Sequence, residues 1–355
     1  MKRIITVILS LAASLVVMAQ VRITTPETEL IIKADKGADL QILYFGARLS
    51  DADAANIEAA GVPGHSAYRA YGLWCASEAS LGVTHADGNL STSLKVESVM
   101  QSDVIDNSIV TKVVMKDAVY PFYVTVCYRA YQDVDMIETW TEIANLGKKP
   151  VTLTRFDSGY LPVRVGDVWL SHLHGTWAAE GLLVQEPLQR GMKVIKNKDG
   201  SRNSHTDHAE VMFSLDGKPQ ENTGRVIGAA LCYSGNYELR IDTRDTDYHE
   251  FYAGINPDNS SYKLESKEVF MTPELAFTYS DEGLSGASRN FHKWGRTYKL
   301  AHGDKLRKIL LNSWEGVYFD INEPGMDQMM ADIASMGGEL FVMDDGWFGV
   351  KYPRL

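Results

Sequence analysis

Apolar and polar residues alternate with period two along most of the chain from Val21 to about Thr278, the pattern of strands that bury one face. In Phe122-Tyr123-Val124-Thr125-Val126-Cys127-Tyr128-Arg129 one face collects Phe122, Val124, Val126 and Tyr128. Over 136–145, Ile137, Thr139, Thr141 and Ile143 alternate with Glu138, Trp140 and Glu142, so both segments read as half-buried strands. Further strands are expected at 29–34, 40–45, 93–99, 109–115, 151–156, 167–173, 225–233, 237–242 and 248–253. That many short strands imply packed antiparallel sheets in a sandwich larger than an immunoglobulin-type domain of about 100 residues. The stretch 51–65, rich in Ala, Gly and Asp, reads as an exposed insertion loop, and 196–207 as another. No internal repeat at a fixed period is present.

The character changes after Ser280. Ala287, Phe291, Trp294 and Tyr298 fall at i, i+4, i+7 and i+11, one stripe of a helix expected over 285–298, and the polar run 301–308 reads as a connector. Then Ile309-Leu310-Leu311-Asn312-Ser313-Trp314 resembles a strand buried on both faces. Asn322-Glu323-Pro324 supplies a helix start, Met326, Met329, Met330 and Ile333 a helical stripe, and Gly337-Gly338 a stop. Leu340-Phe341-Val342-Met343 is a second strand, running into Asp344-Asp345-Gly346-Trp347. This is a βαβ unit, whose strands are expected to be parallel with a right-handed crossover. Two strands and one helix cannot cover both faces of a sheet, and a complete (β/α)₈ barrel takes about 250 residues. The expectation is therefore the first βαβ unit of an incomplete barrel, in the N-terminal part of a longer protein.

At the start, Lys2-Arg3, the apolar run from Ile4 to Val17 and Met18-Ala19-Gln20 read as a secretory signal peptide cleaved after Ala19. The run is short of the ~20 apolar residues of a spanning helix, although an uncleaved anchor is the alternative. The domain expectation is thus a leader at 1–19, a β domain with its closing helix at 20–300 and the start of the barrel at 301–355. The formal net charge of −11 becomes more negative by two once Lys2 and Arg3 leave, which disfavours nucleic acid and phosphate-rich ligands and suits a neutral sugar. Three scattered cysteines, Cys75, Cys127 and Cys232, make no disulfide scaffold or zinc frame and read as buried small apolar residues.

Candidate chemistry concentrates at Asp344-Asp345-Gly346-Trp347, at the carboxyl end of an expected parallel strand, where α/β folds collect their ligand sites. Adjacent carboxylates suit the vicinal hydroxyls of a sugar, and Trp314 at the same end of the preceding strand suits its apolar C–H face. Spacing alone favours Asp-Asp-Gly as a turn or helix cap and Trp314 as core. Neighbours on a strand point to opposite faces, so Asp344 and Asp345 read as substrate-binding residues and not as the two carboxyls of a glycosidase. His172-x-His174 and His205-x-x-His208 are close pairs, but neither has a cysteine or an HExxH frame, so no metal is expected. Serine-hydrolase, P-loop and dinucleotide motifs are absent from the sequence. Trp140, Trp169, Trp177 and Trp294 read as packing residues of the sandwich and its seams.

Asn312-Ser313-Trp314-Glu315-x-x-Tyr318-Phe319-Asp320, followed by Gly338-Glu339-Leu340-Phe341-Val342-x-Asp344-Asp345-Gly346-Trp347-Phe348-Gly349, resembles an α-galactosidase of glycoside hydrolase family 36. Thr84-His85-Ala86-Asp87-Gly88-Asn89, Ser234-Gly235-Asn236, Gly254-Ile255-Asn256-Pro257, Thr272-Pro273-Glu274 and 288–292 resemble that family's N-terminal domain. One departure is Glu78-Ala79-Ser80-Leu81, where Glu-Pro-Ala-Leu is expected.

The resemblance implies a mainly β chain: a large N-terminal β-supersandwich, then a (β/α)₈ TIM barrel that here is only begun. It further implies a retaining hydrolase of α-galactoside oligosaccharides, no cofactor or metal, a homo-oligomer that is often a tetramer, and Trp314, Asp344 and Asp345 around a galactose. The family's nucleophile and acid/base lie beyond Leu355 by the same resemblance, so no catalytic residue is assigned and the chain alone is expected to be inactive. A carbohydrate-binding or assembly module without catalysis is the alternative, and a sugar lyase or epimerase finds no acid/base residues in the sandwich. Localisation is expected to be secreted or periplasmic. Intact-mass analysis of exported protein should therefore show a chain starting at Gln20, and Met1 retained in a cytosolic pool would overturn the leader.

Overall fold

A computed structural model describes residues 20–59, 64–72, 77–202, 205–245 and 247–348. The proposed leader, Cys75 and Gly349 lie outside the described residues. The chain divides after Trp294 into two units.

The first unit is mainly β, in three antiparallel sheets of four, six and ten strands. The ten-stranded sheet carries a meander of Leu94–Gln101, Ser108–Asp117, Phe122–Tyr131 and Ile137–Asn145, paired strand to strand in sequence order. It then continues through Glu274–Ser280, Val226–Cys232, Asp207–Ser214 and Trp169–Thr176 to Ala179–Pro187 at its edge. The six-stranded sheet is built around Val151–Val163, Tyr237–Asp245 and Tyr248–Ile255. The four-stranded sheet starts with Gln20–Thr24, Thr28–Lys33 and Gln41–Ala47. Every strand expected between 29 and 253 is present, shifted by a few residues at its ends.

The inward-facing positions of all three sheets meet in one apolar cluster. Edge-on aromatic pairs join the sheets: Phe45 and Phe277 with ring centroids 5.0 Å apart, Phe213 and Phe251 at 5.2 Å, and Phe156 and Phe270 at 4.8 Å. Such pairs add roughly 0.5–1.5 kcal/mol each beyond the area they bury. Phe122, Val124, Val126 and Tyr128 point into the core as the alternation required.

On Ile137–Asn145 both faces are covered: Glu138, which the alternation set against the inward face, is buried, and so is Trp140, read above as a packing residue. Glu138 accepts hydrogen bonds from Arg129, from the Tyr131 hydroxyl (3.0 Å) and from Trp294 Nε1 (3.1 Å). The Arg129 guanidinium lies 5.1 Å over the Trp140 ring. Trp294 ends the helix Gly283–Trp294, which packs on Glu274–Ser280 and Val226–Cys232. Its approach requires Gly228, where a Cβ would come within 2.8 Å of Phe291.

Two further expectations are corrected. Residues 51–59 are the helix Asp51–Ala59 and not a loop. Ser50 Oγ accepts from Asp53 N at 3.1 Å, an N-terminal cap, and alanine is the best helix former. Cys127 is buried as expected, with its thiol pushed up chiefly by burial, but Cys232, at the end of its strand, is exposed.

Charged groups also lie inside the sandwich. Arg240 pairs with Asp157, with Glu238 (3.2 Å) and with Glu78 (2.9 Å), and its guanidinium sits 4.8 Å over the Tyr252 ring. Nearby, Glu250 is fully buried and takes hydrogen bonds from Arg69 (2.6 Å), Tyr160 (2.9 Å) and Tyr248 (2.7 Å). Burial pushes its carboxyl up, but Arg69 and the Tyr248 hydroxyl hold it below its ordinary value. Burial, together with Arg164 and Arg69, holds the His65 imidazole down at about 4. It therefore meets the Tyr248 hydroxyl, 2.7 Å away, in its neutral form.

Removing one member of such a cluster strands a buried charge, which costs about 3–5 kcal/mol. Arg240→Ala should lower the unfolding free energy by that amount in urea titrations, and a loss below about 1 kcal/mol would show that Asp157 does not depend on Arg240.

Candidate functional site

The second unit, from Gly295, begins with a π-helical turn, Gly295–Lys299, and a turn-rich connector. Strand Leu310–Asn312 then pairs in parallel with Leu340–Val342, in the register Leu310 to Leu340, Leu311 to Phe341 and Asn312 to Val342. Helix Glu323–Ser335 joins them. The Asn322 side chain caps its first turn by accepting from Gly325 N at 3.0 Å, with Pro324 beside it as expected. Gly337, at φ +89°, stops it.

Both strands are shorter than the apolar runs suggested, and the candidate residues lie just past their carboxyl ends. Asn312 is the last residue of its strand, and Trp314 opens a short helix, Trp314–Val317, instead of ending the strand. Asp344 and Asp345 follow the second strand after Met343.

Side chains from the first strand end hold the second. Asn312 Nδ2 donates to Asp344 Oδ2 at 2.7 Å, while Asn312 Oδ1 accepts from Trp314 N at 2.8 Å. Ser313 is fully buried; its N–H donates to Val342 O at 2.9 Å, and its Oγ accepts from Asp344 N at 3.0 Å. Asp344 Oδ1 accepts from Asp345 N at 2.7 Å. One side chain, Asn312, thus fixes both the Asp344 carboxylate and the start of the segment carrying Trp314.

The turn and binding readings of Asp-Asp-Gly are compatible. Gly346 is buried at φ +103°, and a Cβ there would meet Ile321 Cγ1 at 2.9 Å and Phe319 backbone at 3.2 Å, so only glycine fits. Because Asp344 and Asp345 stand beyond the strand, strand alternation does not govern where their carboxylates point. Trp314 is half-buried and makes edge-on contacts with Tyr318 and Phe319, at 5.3 and 4.9 Å between centroids. It is neither closed core nor fully open. Each oxygen of Asp344 keeps acceptor capacity beyond its one protein hydrogen bond, so the carboxylate is held in place and still able to bind a hydroxyl. Asn312 and Ser313 were read from the sequence only as part of a motif; the positioning role follows from the parallel pairing of their strand with the one before Asp344.

The histidine pairs are not brought together as ligand sets. A register shift separates His172 from His174. His172 is buried, 3.5 Å from Glu186, whereas His174 is exposed and 2.9 Å from Asp207. His205 lies 3.8 Å from Glu180 and His208 3.2 Å from Glu210. Among the described residues no group of three His, Cys, Asp or Glu side chains is placed to hold a metal ion.

If Gly346 sets the turn, Gly346→Ala should loosen it. Amide exchange at Ser313 and Asp344 should speed up by at least ~10-fold, about 1.4 kcal/mol of local stability; unchanged protection would show that the turn tolerates a side chain.

Residues 38–265 match the profile described as "Glycosyl hydrolase family 36 N-terminal domain", and residues 269–354 the profile "Melibiase". Alpha-galactosidase AgaA of Geobacillus stearothermophilus is 34% identical over 243 residues, covering 68% of this chain and 33% of AgaA. Alpha-galactosidase Mel36A of Lactobacillus acidophilus is 32% identical over 239 residues, covering 67% of this chain and 32% of its own. The crystal structure of AgaA superimposes with a TM-score of 0.83 at 25% identity, over 93% of this chain and 50% of that one. A variant of AgaA in complex with raffinose gives 0.84 at 26% identity. The chain thus spans from a third to a half of the length of the relatives it matches. With the first profile covering more than half of its residues, the chain belongs to glycosyl hydrolase family 36.

Proposed function

We propose that these residues are the N-terminal part of a retaining α-galactosidase that removes terminal α-galactosyl units from oligosaccharides. The observation that supports it most is the Asp344 carboxylate, fixed by Asn312 Nδ2 and the Asp345 amide at the carboxyl ends of two parallel strands. A sugar hydroxyl donating to it forms a charge-assisted hydrogen bond. On this reading Asp344 and Asp345 accept from neighbouring hydroxyls of galactose, and Trp314 covers the C–H face of the ring. Relatives complexed with stachyose and raffinose make the same substrate class reasonable here.

Retention requires a nucleophile and an acid/base carboxyl about 5–5.5 Å apart. No residue of the 355 is assigned either role, so the chain by itself binds without turning over. Export through the leader and assembly into a tetramer belong to the same reading.

Two measurements test it. The 355-residue chain should not hydrolyse an aryl α-galactoside, and turnover comparable with a full-length relative would overturn the division of labour. In the full-length enzyme, Asp344→Ala or Asp345→Ala should lower kcat/KM by at least ~10-fold, since one charge-assisted hydrogen bond contributes about 1.5–3 kcal/mol. Trp314→Ala should act in the same direction. Unchanged kcat/KM in both Asp variants, with a lowered Tm, would leave the pair a turn and nothing more.

A further inference from the structure

The short helix Trp314–Val317 ends at Tyr318, whose amide donates to Trp314 O at 2.8 Å and whose backbone lies at φ +49°, ψ −122°. A positive φ at a helix stop ordinarily belongs to glycine, and this ψ is far from the value of about +45° at which other residues enter the left-handed region. A Cβ in such a conformation crowds the adjoining peptide and costs stability, whereas glycine adopts it freely. The path it gives the chain matters one residue on. Phe319 Cα and O lie where a Cβ on Gly346 would come within 3.2 Å of each, so the chain leaving Tyr318 passes directly against the Asp-Asp-Gly turn. That path explains the conformation but not the tyrosine, since glycine would follow it without strain.

Burial does not explain the tyrosine either, because Tyr318 is 54% exposed among the described residues. Its ring meets Trp314, with centroids 5.3 Å apart and planes at 80°. The Phe319 ring meets the same indole at 4.9 Å and 89°. The hydrogen bond from Trp314 N to Asn312 Oδ1 fixes the backbone of Trp314 and leaves its ring to turn. The outer side-chain torsion of a tryptophan is broad, so only packing against the ring defines the plane of the indole. Two rings standing nearly perpendicular to it supply that packing.

We infer that Tyr318 is a positioning residue, which together with Phe319 sets the plane of the Trp314 indole, and that its strained backbone lets one turn present both rings to Trp314 while carrying Phe319 against Gly346. The inference rests on the reading of Trp314 as the surface that covers a galactosyl ring. It adds the residue that orients that surface before the sugar arrives, which spares binding the cost of ordering it. A face that covers the sugar in the ground state and the transition state alike acts on KM more than on kcat.

The test is a double-mutant cycle between Tyr318 and Trp314 in the full-length enzyme. Tyr318→Gly should raise KM for an aryl α-galactoside at least ~5-fold with kcat changed less than about threefold, while Tm stays the same or rises as the strain is relieved. Tyr318→Phe, which keeps the ring, should stay within about twofold of the parent in both constants. In a Trp314→Ala background Tyr318→Gly should change KM by less than about twofold, because the indole through which it acts is gone. Should Tyr318→Gly fail to fold, Tyr318→Leu, with bulk but no ring, is expected to give the same rise in KM. A rise that persists in the Trp314→Ala background would overturn positioning through the indole, as would an unchanged KM in the single variant. Tyr318→Phe as impaired as Tyr318→Gly would overturn it too, since the hydroxyl and not the ring would then be responsible. Failure of the underlying reading has its own signature: Asp344→Ala and Trp314→Ala would then both leave kcat/KM unchanged, which overturns the binding site and this inference together.

Discussion

The first unit rests on one constraint: three antiparallel sheets must bury their inner faces in a single continuous core. Apolar burial at roughly 25 cal/mol per Å² is the dominant favourable contribution, and here it comes from side chains separated by two along strands that are far apart in sequence. The pairs Phe45 with Phe277 and Phe213 with Phe251 show the consequence, since each joins strands of different sheets. Strand register follows from the same demand, because a slip by one residue would turn every inward side chain outward.

Burying so much sheet surface also buries polar groups, and the fold answers this by clustering them. Glu250 with Arg69 and Glu138 with Arg129 each combine a carboxylate, a guanidinium and hydroxyl or indole donors, and Asp157 with Arg240 joins a buried carboxylate to a guanidinium. Buried ion pairs of this kind add little net stability, but they penalise any arrangement that separates the partners. Glu138 does a second thing: by accepting from Trp294 Nε1 it fixes the end of the helix that covers the outer face of its own sheet.

In the second unit the deciding contacts are few and short-range in space. Parallel pairing of Leu310–Asn312 with Leu340–Val342 brings Asn312 and Ser313 beside Asp344, residues about thirty apart in the chain. The carboxylate is thereby oriented before any ligand arrives, which spares binding the cost of ordering it. Gly346 closes the turn at a backbone angle that other residues reach only with strain.

Period-two alternation, helix-cap chemistry and the Asp-Asp-Gly-Trp motif determined much by themselves: a mainly β chain, the helices at 283 and 323, the parallel strand pair and the positions of Trp314, Asp344 and Asp345. These signals are local, carried by residues within a turn or a strand of one another. Tertiary structure alone decided the rest. Alternation cannot reveal that Arg129, Tyr131 and Trp294 enclose Glu138, so the strand Ile137–Asn145 read as half-buried. Composition cannot separate an alanine-rich loop from the capped helix Asp51–Ala59. The partners of Arg240, the bracing of Asp344 by Asn312 and the exposure of Trp177, read above as a packing residue, depend on residues far apart in sequence. Such contacts form only when the chain folds back on itself, because hydrogen bonds and burial act over ångströms of space and not along the chain.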